Sequence, residues 1–229
     1  MDTPITHIAI IPDGNRRWAK ENHLPVLAGH KKGAENTIAL ARKTRELGIS
    51  TFTIWAFSTE NWKRETDEIQ GIMGLHTMLK QYVDECTRDN VKISLLGRRD
   101  RMSKDLLDAI TDAEEKTADN NKYFLNLAFD YGGRDEILRA ATRAQRDERD
   151  IATLSINEFE KYLDTNHLPN PNPDIIIRTG GEMRTSGFML WQSEYAEYFF
   201  SEKFFPDFSN EDLENVVTEY QARQRRFGK

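Results

Sequence analysis

His7-Ile8-Ala9-Ile10-Ile11-Pro12-Asp13-Gly14-Asn15 is the stretch whose reading decides the fold. His7 to Ile11 reads as a strand, and the turn formers after it stop it abruptly. Outward from this point, short β-rich runs alternate with longer helical patterns. A helix is expected over Gly33 to Leu47, with Ala34, Ile38 and Ala41 on one face and Gly48 as its stop. Thr51 to Phe57 is a second apolar, β-branched run. Thr66 to Arg88 places Ile69, Met73, His76, Leu79, Val83 and Cys86 at helical spacing, which predicts one helix about 35 Å long. Val91 to Leu96 gives a third strand, Ser103 caps a helix with Leu106, Leu107, Ile110 and Ala113 inside, and Tyr123 to Phe129 gives a fourth strand. A helix from about Arg134 to Arg149 follows, and Ser155 with Glu158 forms a capping box for the short helix carrying Phe159 and Leu163. Prolines break the chain from Pro169 to Pro173 before a last strand, Asp174 to Arg178, and a final helix runs from Ser209 to about Arg226. This alternation implies an α/β fold: one domain, residues 1–229, around a largely parallel sheet covered on both faces. Ligands then bind outside the carboxyl ends of the strands, so the turns there carry the chemistry.

Composition narrows the ligand. The 229 residues are 38% hydrophobic, enough for one substantial core. No run approaches the roughly 18 apolar residues of a membrane span, and Met1 to Thr6 lacks the pattern of a signal peptide, so a cytoplasmic protein is expected. The single cysteine, Cys86, falls on an apolar helical face, where a buried inert thiol is expected. A net charge of -6 argues against nucleic acid or an anionic surface as a broad partner. Any anion must be held by arginines gathered locally.

Three turns offer such arginines. The first, Pro12-Asp13-Gly14-Asn15, runs into Arg16, Arg17 and Trp18. Read as plain structure it is a turn of turn formers. Read as chemistry, Gly14 opens the backbone to a phosphate, Asp13 offers hard oxygens to Mg²⁺, and Arg17 adds charge-assisted hydrogen bonds. The second is Phe57-Ser58-Thr59-Glu60-Asn61-Trp62-Lys63-Arg64, where Ser58 or Thr59 could simply cap a helix and Trp62 staple it, while Asn61 and Arg64 point to a site. The third, Arg178-Thr179-Gly180-Gly181-Glu182-Met183-Arg184-Thr185-Ser186, sets two arginines and two hydroxyls around a diglycine, as a diphosphate requires. A salt-bridged surface loop is its structural alternative. Neither a P-loop nor a GxGxxG turn occurs, so a pair of diphosphates with one magnesium fits better than a nucleotide. His30 could add a phosphate contact or a proton donor, or serve structure alone.

His7 to Lys20, Gly29 to Gly33, Ala56 to Arg64, Tyr131 to Arg134, Ile177 to Gln192, Phe205 to Phe208 and Arg225-Arg226-Phe227-Gly228 together resemble the cis-prenyltransferase family, also called undecaprenyl diphosphate synthases or isoprenyl transferases. The resemblance implies a magnesium-dependent homodimer that adds isopentenyl diphosphate to an allylic diphosphate. It also implies an apolar tunnel between sheet and helices, walled by Thr66 to Arg88, and a hydrophobic product delivered to the membrane. It assigns Asp13 to magnesium and to the allylic diphosphate, with Gly14, Asn15, Arg17, Trp18 and His30 in the same site. Phe57, Ser58, Glu60, Asn61, Trp62 and Arg64 lie by the same comparison around the reacting ends, with Glu68 in the segment that closes over them. Arg178, Arg184 and Ser186 look like the isopentenyl diphosphate site. Glu197 resembles a second acidic residue for magnesium, and Arg226 with Gly228 resembles a terminal motif that reaches the partner's site.

The expected mechanism follows from charge. Departure of the allylic diphosphate builds negative charge on oxygen, which magnesium and Arg17 stabilise while the isopentenyl double bond attacks. The proton acceptor stays open among a diphosphate oxygen, Asn61 relaying through Ser58, and Asp13. Several positions depart from the usual family pattern. Pro12 stands for methionine, Arg16 for glycine, Met183 for histidine and Gly187 for asparagine. Val26 stands where many members place an arginine. A non-catalytic partner subunit of the same fold is the alternative, although such a chain should have lost its charged turn residues. A phosphate-binding regulatory module is a third possibility.

Overall fold

The computed structural model describes residues 5–223, and the terminal Arg226 and Gly228 lie outside them. Six strands form one sheet, all paired in parallel: β1 (His7–Ile11), β2 (Thr51–Ser58), β3 (Val91–Leu96), β4 (Tyr123–Tyr131), β5 (Ile175–Arg178) and β6 (Glu197–Phe200), in the order β3-β4-β2-β1-β5-β6. β1 lies at the centre and is buried throughout. Its residues alternate across the sheet as a strand demands: Ile8 and Ile10 enter a core with Leu40, Ile54 and Val83, while Ala9 and Ile11 face Trp55, Ile176 and Phe188. Parallel strands require crossover connections: helices cover the Ile8 side, whereas Phe188 and Met189 on the Ala9 side come from the turns between β5 and β6.

The helices are α1 (Asn15–Glu21), α2 (Val26–Glu46), α3 (Thr66–Met73), α4 (His76–Arg88), α5 (Lys104–Lys116), α6 (Gly133–Arg146), α7 (Ile156–Glu160) and α8 (Asn210–Ala222). The first three crossovers lay α2, α4 and α5 against the Ile8 side, and the fourth places α6 and α7 elsewhere, in a cluster with Trp191. The chain therefore reverses direction between β1 and β5. That topological switch opens a crevice at the carboxyl ends of these two strands.

Several boundaries differ from expectation. α2 starts at Val26, not Gly33, because its glycines serve close packing: a Cβ on Gly29 would lie 2.1 Å from the Asn15 carbonyl oxygen, and one on Gly33 2.5 Å from Asn15 Oδ1. Asn15 itself opens α1, a helix behind a turn whose Gly14 takes φ of 103°. The expected single helix from Thr66 to Arg88 is two, parted at Gly74 and Leu75, although its apolar positions keep one face. β6 lacked any strand expectation, and the short helix after Ser155 ends before Leu163, which is nonetheless buried. The Ser103 cap and the Ser155–Glu158 capping box form as expected. No helix among the described residues is long and apolar enough to cross a membrane.

One buried titratable group gives the fold a pH dependence. His7 is fully buried, with Nδ1 3.0 Å from the Asn170 carbonyl and Nε2 2.8 Å from Thr53 Oγ1. Burial outweighs these contacts and the nearby Asp174, and lowers its pKa to about 4. The unfolded chain takes up this proton near pH 6.5 and the folded chain only near 4. Stability from His7 is therefore present in full above pH 6.5 and lost as pH falls through that window, by roughly 3 kcal/mol in all. His30 and His167 are shifted the same way by burial. Urea denaturation should show a lower unfolding free energy at pH 5 than at pH 7; equal values would contradict this account.

Candidate active site

The crevice at the switch is built from the turns after β1 and β5. Backbone and hydroxyl fix them together: the Asp13 N–H donates to Thr179 Oγ1 at 3.0 Å, and that hydroxyl donates to the Asp13 carbonyl at 2.8 Å. The Asp13 carboxylate accepts from Arg17 Nη2 at 3.0 Å through one oxygen and from Arg178 Nη2 at 2.7 Å through the other. Burial works to raise its pKa, but the Arg178 and Arg17 guanidiniums prevail and hold it below the usual carboxylate range.

Arg178 is 5% exposed and is the structural pivot of the crevice. Its Nη1 donates to the Arg184 carbonyl at 2.6 Å and to Ser186 Oγ at 2.8 Å. Its Nε is buried without a hydrogen-bond partner among the described residues, a donor still to be satisfied. Sequence reasoning put Asp13 and Arg178 in separate groups; the structure joins them through one guanidinium. The Arg184 side chain itself is exposed and pairs with Glu182.

Asp13, Gly14, Asn15, Arg16, Arg17, Lys20, Val26, His30 and Arg64 line a basic pocket of about 1270 Å³, measured to its open mouth. Behind it lies an apolar cavity of about 1020 Å³ between β2, β4 and the helices α2 and α4, lined by Ala34, Ile38, Ala56, Leu79, Leu125 and Phe129 among others. The two share three wall residues, Pro12, Asn15 and His30. A third, polar cleft of about 1610 Å³ is lined by Glu60, Arg184 and Ser186 together with Arg98, Arg101 and Arg134. These last three arginines were not singled out from sequence as site residues. β3 and β4 bring them together only through pairing, and the one signal was Arg134 in the quoted Tyr131 to Arg134 segment.

The remaining expected residues divide between pocket and scaffold. Ser58 is the N-cap of a 3-10 helix, Thr59–Lys63, as the plain reading proposed, and its N–H donates to Asn61 Oδ1 at 3.1 Å, so Asn61 closes the same turn. Phe57 is buried and stacks on Phe129 with ring centres 5.0 Å apart. Trp62 packs edge-on against Phe57 and donates to Asp130 Oδ1 at 2.8 Å. Trp18 is not among the residues that line the pocket, and its Nε1–H donates to Asp207 Oδ1 at 2.8 Å. Arg64 and His30 both meet Glu68, at 2.9 and 3.0 Å.

Glu197 is not brought to Asp13. It opens β6 opposite Ile175, the first residue of β5, whereas Arg178 ends that strand; three residues separate the two levels, about 10 Å along the sheet. Its carboxylate accepts from Arg223 Nη1 at 2.8 Å. Within one chain the expected pair of acidic metal ligands therefore reduces to Asp13, and no group of three or more metal-ligating side chains exists among the described residues.

Residues 11–228 match the family model described as "Putative undecaprenyl diphosphate synthase". An isoprenyl transferase of Lactobacillus johnsonii is 40% identical over 99% of this chain and 97% of its own length, and one of Clostridium acetobutylicum is 44% identical over 97% and 89%. Among solved structures, lavandulyl diphosphate synthase from Lavandula x intermedia, in complex with dimethylallyl diphosphate, superposes with a TM-score of 0.93 at 35% identity, covering 98% of both chains. A probable undecaprenyl diphosphate synthase from Campylobacter jejuni gives 0.81 at 33% identity, over 99% of this chain and all of its own. A basic crevice at the switch of a parallel sheet, opening onto an apolar cavity, thus sits in a chain that belongs to the undecaprenyl diphosphate synthase family and is a prenyltransferase.

Proposed function

We propose that the protein condenses isopentenyl diphosphate with an allylic diphosphate to give a Z-polyprenyl diphosphate, acting with Mg²⁺ as a homodimer. The observation that carries this reading is the shared wall of Pro12, Asn15 and His30. A molecule lying across it has an anionic head among arginines and a hydrocarbon tail among apolar side chains, the form of a prenyl diphosphate. The lavender enzyme was solved with dimethylallyl diphosphate, a ligand of that class.

Arg17, His30 and Arg64 then receive the allylic diphosphate, and Arg178, Arg184 and Ser186 receive the isopentenyl diphosphate. The donor set suits magnesium, which binds through one or two carboxylates, substrate phosphate oxygens and water. Asp13 offers that carboxylate, ionised and with lone pairs remaining on oxygens that each accept a guanidinium bond. Bound there, the ion neutralises charge that develops on the leaving diphosphate. The arginines do the same through preorganised donors. Asp13 is a poor base, because two guanidiniums favour its ionised form, and Asn61 is engaged by Ser58. A diphosphate oxygen is left as the proton acceptor. Arg226 and Gly228, outside the described residues, would complete the site of the partner subunit.

Incubation with labelled isopentenyl diphosphate, Mg²⁺ and allylic starters of increasing length should yield a series of Z-products. Absence of product with every starter would refute the reading. In the same assay Val26→Arg should keep or improve the affinity for the starter, up to about a hundredfold, since one charge-assisted hydrogen bond contributes roughly 1.5 to 3 kcal/mol. A loss of more than tenfold would show that Val26 is needed as an apolar wall.

A further inference from the structure

Three donors from three separate elements converge on one carboxylate at the mouth of the basic pocket. His30 Nε2, from α2, lies 3.0 Å from Glu68 Oε1; Arg64 Nη1, after the 3-10 helix, donates to the same oxygen at 2.9 Å; Arg16 Nε, from α1, lies 3.8 Å from Glu68 Oε2. All three donors line the basic pocket, and Glu68 does not. Its carboxylate is 9% exposed and stays ionised, because the His30 hydrogen bond and the Arg64 and Arg16 charges outweigh the effect of burial. Glu68 belongs to the first turn of α3, an eight-residue helix that also touches α2 where Leu27 packs against Gly71. α3 is thus tied to the pocket by an ion cluster made of the groups an anionic ligand needs.

We propose that Glu68 is an internal counter-anion that the ligand's diphosphate displaces from Arg16, Arg64 and His30, and that Arg16 is thereby a ligand-binding residue. Two anions cannot hold the same donors at full strength, so each gains what the other loses. The vacant protein keeps Arg16 and Arg64 paired, His30 hydrogen-bonded and α3 seated; the loaded one turns these donors to the diphosphate and frees α3 from its ionic tie. The identity of the ligand rests on the function proposed above, whereas the exchange itself requires only a diphosphate.

The test is calorimetric titration with inorganic pyrophosphate, without added divalent metal, on the full chain. Glu68→Gln keeps the shape and a hydrogen-bond acceptor but removes the competing charge. It should bind pyrophosphate about three- to tenfold more tightly than wild type, and Arg16→Gln should bind it more weakly by a similar factor. Hydrogen exchange of the α3 amides should quicken when pyrophosphate is added to wild type, and should already be fast in Glu68→Gln. Unchanged or weaker pyrophosphate binding by Glu68→Gln, or no binding by either protein, would overturn the exchange. If Glu68→Gln does not fold, unchanged affinity in Arg16→Gln overturns it equally. Failure of the synthase reading would instead appear as absence of product from every starter and leaves this titration valid.

Discussion

Asp13→Ala should lose isopentenyl incorporation by about a thousandfold or more, with little change in the fold. The carboxylate accepts from Arg17 and Arg178 and is the hard oxygen donor of the crevice. Truncation removes two charge-assisted hydrogen bonds, roughly 1.5 to 3 kcal/mol each, and, in the proposed mechanism, a metal ligand contributing several more. It also leaves two guanidiniums side by side without their common anion. The turn should survive, because Thr179 holds the Asp13 backbone N–H and carbonyl independently of the side chain. The check is steady-state incorporation beside a thermal melt. An active Asp13→Ala enzyme would refute the mechanism, and a melt collapsed by tens of degrees would show the carboxylate to be structural first. Asp13→Asn, of equal shape without charge, should be nearly as inactive.

The second large effect is expected at Arg178. Its fork binds Asp13, the Arg184 carbonyl and Ser186 at once. A lysine keeps the charge but presents it as a point at the end of a flexible stem, and cannot make the divergent set. Loss of two such bonds predicts a fall in kcat/KM for isopentenyl diphosphate of about 10² to 10³, or roughly 3 to 4 kcal/mol. Arg178→Lys with near-native kcat/KM would show that the charge alone suffices. Arg178→Ala should also destabilise the protein, since it strips a partner from the half-buried Asp13.

Much of this was readable from the chain. The strands stood out because parallel strands buried on both faces are continuous apolar runs, as in His7 to Ile11. The sites at the first and third turns were legible for a topological reason: in such sheets the carboxyl ends face one crevice. What escaped notice depended on partners distant in sequence. Gly29 and Gly33 look like helix breakers until Asn15 is seen against them. The break at Gly74 is invisible to periodicity because the apolar face continues across it. β6 is only four residues on a sheet edge, too short for alternation to show. Arg98 and Arg101 follow β3, and only its pairing with β4 delivers them to the cleft with Arg134. Glu197 shows another limit: a motif match does not say at which end of the sheet a residue falls, and within one chain Glu197 lies at the opposite end of the β5–β6 pair from Arg178.

The three-way grip of Arg178 bears on how a chain could be lengthened repeatedly. In the reaction proposed above, each round would end with the new diphosphate where the incoming substrate was, while the next round would need it where the leaving group was. Because one guanidinium touches both Asp13 on the one side and the Arg184–Ser186 turn on the other, the head group can change stations without leaving its cation. Hand-over at a single fork favours keeping the intermediate bound between additions, so long products should build up from few starters.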